Sequence, residues 1–218
     1  MGSQSVAERP DGWQAPPEWP IPREWAGERC FILAGGPSLR KHRELVPRLE
    51  GRILAVKQSI TLRPTADVWF LSGERTDELC RPYYKLFAGT HIIARGKSHP
   101  NFPAGTKRVG RSKHHWELSD LPTHVTGRDA GTSAINIAYL FGATEIILLG
   151  YDFTGARWFT PAEIRHPMPV PPEAHHRRHM EFGPQLAEDA KRKGIRIVNC
   201  SPISRATWFE RRRLEEFV

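Results

Sequence analysis

Cysteine is scarce: Cys30, Cys80 and Cys200 are the three in 218 residues. Their odd number and wide separation give no zinc-binding pattern. Cys30 and Cys200 lie in strand-like stretches and read as buried thiols of a reducing compartment, so a cytoplasmic location is expected. No apolar run is long enough to cross a bilayer, and Met1–Pro22 lacks the apolar core of a secretion signal, so no membrane span is expected. Internal repeats and heptad runs are also missing, which excludes solenoids and coiled coils. What remains is 39% hydrophobic and 26% charged, a balance that suits one globular domain with a substantial core. A formal charge of +8 favours phosphate-rich or acidic partners, although a solvated basic face gives the same sum.

Residues 1–28 form an arm rich in proline and tryptophan, with Trp13, Trp19 and Trp25 among five prolines; the rest, 29–218, reads as a single domain. From Arg29 the pattern alternates. A strand leads to a helix over 37–49, then strands at 52–56 and 67–71, a helix over 76–87 and a strand at 91–95. Residues 97–128 are polar and poor in pattern and read as an insertion or mobile region. A helix from Gly131 to Phe141, a strand at 145–149, an irregular stretch over 151–173, a helix over 174–193 and a strand at 195–200 complete the chain. Such alternation predicts an α/β fold, a mostly parallel sheet with helices on both faces, whose ligands gather at strand ends.

Two stretches carry the chemistry. In Cys30–Leu39 an apolar strand breaks into Gly35-Gly36-Pro37-Ser38 before a helix-like run. Glycines allow a ligand close to the main chain, Pro37 suits a first helical turn, Ser38 offers a hydroxyl, and amides at a helix start favour an anion. A plain strand-to-helix turn has the same spelling. About a hundred residues on, Gly131-Thr132-Ser133 opens an apolar helix ended by Gly142, and a buried strand then runs into Tyr151-Asp152. The Thr132 and Ser133 hydroxyls are candidates for holding a phosphate or ribose, or for capping the helix. Asp152 can bind a metal-nucleotide, orient a hydroxyl or fix its loop, and Tyr151 can stack on a base or seal the core. Lys57 sets a cation at a strand end, to meet a diphosphate or acidic acceptor or to lie solvated. His175, His176 and His179 share helical faces, but Arg177 and Arg178 beside them oppose a metal, and none is assigned.

These motifs together resemble a Rossmann-like group that contains family-42 bacterial sialyltransferases, motility-associated-factor glycosyltransferase domains, hydroxymethylpterin pyrophosphokinase-like proteins and uncharacterised phage proteins, the phage-type members being most similar. The resemblance spans residues 25–209 and is strongest over the two motifs and the final strand. It implies that the first loop and the Thr132-Ser133 helix bracket a nucleotide, that the turn Cys200-Ser201-Pro202 contributes to its pocket, and that His176, with His179 as its neighbour, accepts the proton of an acceptor hydroxyl. Histidine suits that task at neutral pH. Three positions depart from the sialyltransferase pattern: Gly35 and Lys57 each replace an asparagine, and another asparagine falls on Leu71 or Ser72.

The resulting expectation is a glycosyltransferase-like enzyme that moves a group, foremost a sugar, from a nucleotide-activated donor to an acceptor hydroxyl, with modified DNA one candidate acceptor. The donor is a substrate and no resident cofactor is assigned. Two alternatives stand beside it. One is diphosphate transfer, which would require Mg²⁺ and make Asp152 a ligand. The other is a non-catalytic module that binds a nucleotide or nucleic acid; and if the transferase's acceptor is DNA, Arg108, Arg111, Lys113 and Arg128 would meet its phosphates.

Overall fold

Short apolar runs bounded by turn residues become the strands of one sheet. The computed structural model describes residues 18–72, 79–94, 103–160, 162–164 and 173–218. Its strands are β1 (Arg29–Leu33), β2 (Arg52–Val56), β3 (Val68–Leu71), β4 (Thr90–Ala94), β5 (Lys107–Arg111), β6 (His124–Val125), β7 (Glu145–Leu149), β8 (Arg196–Asn199) and β9 (Glu210–Arg211). Their order is β6-β5-β4-β3-β2-β1-β7-β8-β9, and every neighbouring pair is parallel. The chain first builds outward from β1 to β6, then returns to place β7 on the other side of β1. That reversal is the topological switch point, where loops leaving β1 and β7 part and open a crevice. The α/β, Rossmann-like class follows.

Side chains alternate across the central strands. Cys30, Ile32, Ile146 and Leu148 join one buried cluster, while Phe31, Leu33, Ile147 and Leu149 join the other. A sheet covered on both faces explains why β1 and β7 read as unbroken apolar runs. The first face is covered by α2 (Ala130–Phe141), all of whose residues except Tyr139 are buried. Asp129 caps its start by accepting from the Thr132 amide at 3.0 Å, and Gly142 ends it at φ 102°. On this face the described part of the arm packs: Trp25 stacks on Phe141 with centroids 4.1 Å apart, and Ile21 is buried.

Three helical expectations change. The span 37–49 holds only the short α1 (Leu39–His42) and a 3-10 turn at Val46–Arg48. In 76–87, residues 79–80 are helical and Arg81–Leu86 is 3-10; the remainder of that span lies outside the described residues. The long helix over 174–193 divides into α3 (Glu173–Met180) and α4 (Gly183–Arg192). Gly183 and Pro184 restart it, since proline fits the first turn of a new helix but not the interior of an old one.

The largest correction concerns 97–128. Its described part, 103–128, contributes β5 and β6 and extends the sheet. Polar side chains on helices tie it down. Asn136 on α2 accepts from the amides of Ser119 and Thr126 at 3.0 and 2.6 Å and donates to the Ser119 carbonyl, while Asp189 on α4 accepts from the Leu118 amide at 2.7 Å.

Candidate active site

At the switch point lies a cleft of about 680 Å³, lined by the strand-end loops and by α3. That size falls within the range of small-molecule sites. Its β1–β7 wall is knitted together from within. The Gly36 amide donates to the Gly150 carbonyl at 2.8 Å, and Asp152 accepts from both the amide and the hydroxyl of Ser38, each at 2.7 Å. A Cβ on Gly36 would come within 2.4 Å of an Asp152 carboxylate oxygen and 2.5 Å of the Gly150 carbonyl. Gly36 therefore serves close approach. Neither it nor Gly35 adopts the left-handed φ that glycine tolerates best. Burial raises the pKa of Asp152, and the Ser38 and Ser201 hydrogen bonds oppose that rise.

Behind this wall a second polar layer sets the loop after β7. The Tyr151 amide donates to the Ser201 hydroxyl at 3.0 Å, and Asn199 donates to the Tyr151 carbonyl at 3.3 Å. Tyr151 itself lines the cleft. Its hydroxyl meets Thr132 Oγ1 at 2.8 Å, and its ring lies so close over Gly131 that a Cβ there would sit 2.6 Å away. Burial, with Asp129 nearby, drives the Tyr151 pKa well up, so the phenol keeps its proton. Thr132 also donates its hydroxyl to Asp129, while Ser133 donates to the Asp129 carbonyl and accepts from Arg111. Asp129 rather than Thr132 is the N-cap of α2.

The opposite wall aims its polar groups into the cleft. Lys57 follows β2 in a left-handed conformation (φ 56°), and burial plus the nearby Arg157 lower its pKa to about 8. Arg157 enters from the loop after β7, which Glu163 anchors by accepting from Arg40 at 2.8 Å and from the Thr160 amide at 2.7 Å. Arg111 leaves β5 and donates to the Gly127 carbonyl at 2.7 Å. On α3, His176 is 6% exposed and edge-on to Phe153, and its Nδ1 is buried with no hydrogen-bond partner among the described residues. His175 and His179 stack at 5.6 Å. Burial lowers the His179 pKa, helped by His175, His176 and Lys57 and opposed by Asp129.

Gly35, Gly36, Lys57, Gly131, Tyr151, Asp152, His176 and His179 thus share one cleft, whereas Ser38, Thr132, Ser133 and Ser201 stand behind its surface and position what lines it. Pro37 is in the turn that follows Gly36. Sequence reasoning overlooked Asp129 and Arg157. An aspartate three residues before a threonine at a helix start is a capping signal that was open to reading, but nothing local marks an arginine in an irregular loop. Among the described residues no three His, Cys, Asp or Glu side chains are grouped to hold a metal, and no helix is long and apolar enough to cross a membrane.

The fold is similar to that of a solved sialyltransferase. The sialyltransferase CST-II, solved in complex with a trisaccharide acceptor and CMP, superposes with a TM-score of 0.50 at 13% identity, over 84% of this chain and 85% of that one. A tyrosine-to-phenylalanine variant of the same enzyme, in complex with CMP, superposes at 0.51 and 11%, with the same coverage. No protein-family model and no curated protein matches the chain.

Proposed function

We propose that the chain transfers a sugar from a nucleotide-activated donor to an acceptor hydroxyl, with His176 as the base. The observation that carries this reading is the buried, unpartnered His176 Nδ1 on the wall of a cationic cleft at the switch point. A ring nitrogen buried without a partner costs free energy unless a ligand supplies one. In the reaction the acceptor oxygen attacks the anomeric carbon, its proton passes to His176, and the carbon–oxygen bond to phosphate breaks with its electron pair on the departing phosphate. Lys57, Arg111 and Arg157 stabilise that charge, and Gly35, beside Arg157, lets the phosphate approach the main chain, while Gly36 packs against Asp152. Tyr151 over Gly131 offers a ring face to the base, while Pro37, Ser38, Thr132, Ser133 and Ser201 keep the loops in place. His179 lies beside His176 on the same helix, and its lowered pKa keeps it neutral, able to share the acceptor's proton.

The shared fold supports this assignment. Diphosphate transfer through Mg²⁺ would ask Asp152 for a ligand oxygen, and both of its oxygens already accept from Ser38. Of the cations considered for DNA, Arg108 pairs with Glu18 at 3.5 Å and Arg128 with Glu181 at 3.4 Å, which favours a small-molecule acceptor. The test is a thermal-shift screen of nucleotides and nucleotide-sugars, followed by chromatography of the stabilising donor for released nucleotide. Stabilisation and release are expected, because a ligand that binds only the folded chain raises its melting point. Stabilisation by no nucleotide compound overturns the reading.

A further inference from the structure

The helix starts that a phosphate would ordinarily use are already occupied by the chain's own carboxylates. The Ser38 amide, at the start of α1, donates to Asp152, and the Thr132 amide, in the first turn of α2, donates to Asp129. Anion binding by helix termini is thereby reduced at both places, and the cleft's positive charge must come from side chains. Five cationic side chains, Lys57, Arg111, Arg128, Arg157 and Arg178, line it against the two carboxylates Asp129 and Asp152, Arg128 being paired with Glu181 outside the lining. Three of them converge from separate elements: Lys57 from the end of β2, Arg111 from β5 and Arg157 from the loop after β7. Arg157 reaches the glycine loop, its Nη1 lying 3.1 Å from where a Cβ on Gly35 would stand.

Lys57 lies close enough to Arg157 and Arg111 to feel their charge: burial and that repulsion lower its pKa, Asp129 opposes the fall, and a bound anion would relieve the repulsion. A sugar joined through one phosphate brings a phosphodiester with a single negative charge. A sugar joined through a diphosphate brings two, and its departure leaves a further charge on the terminal phosphate, where Lys57 and guanidinium groups act best. We infer that the donor is a nucleoside diphosphate ester, with Gly35 against one phosphate and Lys57, Arg157 and Arg111 beside the other. This deepens the nucleotide-donor reading above and rests on it.

Isothermal titration of the chain with UMP, CMP, GMP and AMP, each against its diphosphate, tests the inference. The diphosphate of the preferred base should bind roughly tenfold more tightly than its monophosphate, and Arg157→Gln and Lys57→Gln should each cut that ratio to about threefold or less while monophosphate affinity holds. Equal affinity for mono- and diphosphate overturns the diphosphate assignment and leaves the nucleotide-donor reading standing. A ratio kept by both variants overturns the roles of Lys57 and Arg157. If no nucleotide binds, the donor reading falls and this inference falls with it.

Discussion

On the β1–β7 wall of the cleft, Asp152 closes on the amide and hydroxyl of Ser38, and Ser201 and Asn199 hold the preceding Tyr151 by its amide and its carbonyl. On the facing wall, His176 keeps a buried nitrogen without a partner, and Lys57 stands among cations. Ser38 and Asp152 satisfy each other and behave as scaffold, whereas among the described residues the His176 ring nitrogen is left open. Burial and polarity look alike on both, so hydrogen-bond partners, not residue types, separate support from chemistry.

Substitutions should divide along that line. The largest effect is expected from Gly36→Val on the scaffold wall, because its side chain would collide with Asp152 and the Gly150 carbonyl, neither of which has room to yield. The variant should lose all nucleotide binding and much of its stability, as read by calorimetry and circular dichroism; a stable variant with unchanged affinity would dissolve the contrast between the walls. His176→Ala should do the reverse. Turnover should fall roughly a hundredfold with melting temperature and donor affinity nearly unchanged, and an equal loss of binding would make His176 part of the donor site instead.

Asn136→Ala probes support remote from either wall. Two buried amides, those of Ser119 and Thr126, would lose their acceptor, and unfolding should become easier by about 2 kcal/mol. Denaturant titration measures this, and a change below about 0.5 kcal/mol would show that the 112–126 loop finds other partners.

The last effect concerns pH. Lys57, facing Arg157 and Arg111 with Asp129 and Cys80 also near, loses its proton around pH 8 when folded but near the ordinary lysine value of 10.5 when unfolded. Between those values the unfolded chain binds the extra proton, so this group's contribution makes stability rise with pH, and below about 8 it is a constant penalty. Lys57→Met should therefore be more stable than the wild type at pH 7, and the difference should shrink as pH climbs through about 8 toward 10. A gap that stays constant over that range would place the lysine ammonium in solvent rather than against the cations.

The parts of the molecule written in local pattern were legible from sequence. β1 and β7 are apolar because both faces of the sheet are covered, and Gly142 marks the end of α2 by its left-handed turn. The strands of 103–128 were not. β5 reads Lys-Arg-Val-Gly-Arg, and β6 spans two residues. What orders them is Asn136 and Asp189, distant in sequence, whose roles no periodicity announces. The division of the final helical span was legible but overlooked, since Gly183-Pro184 spells it. Within the site, glycines and histidines stood out through motif and cluster, whereas the partnership of Ser38 with Asp152 joins residues 114 apart and exists only once β1 and β7 pair.

Among the described residues Lys57 shares with Phe153 the distinction of being a non-glycine residue at positive φ, each at 56° and each beside the cleft. For an L-residue that geometry costs about 1 kcal/mol or more, and glycine would relieve it. A library of variants selected for thermal resistance alone should therefore drift toward glycine at position 57, and the survivors, though harder to melt, would have given up the cation proposed to meet the phosphate.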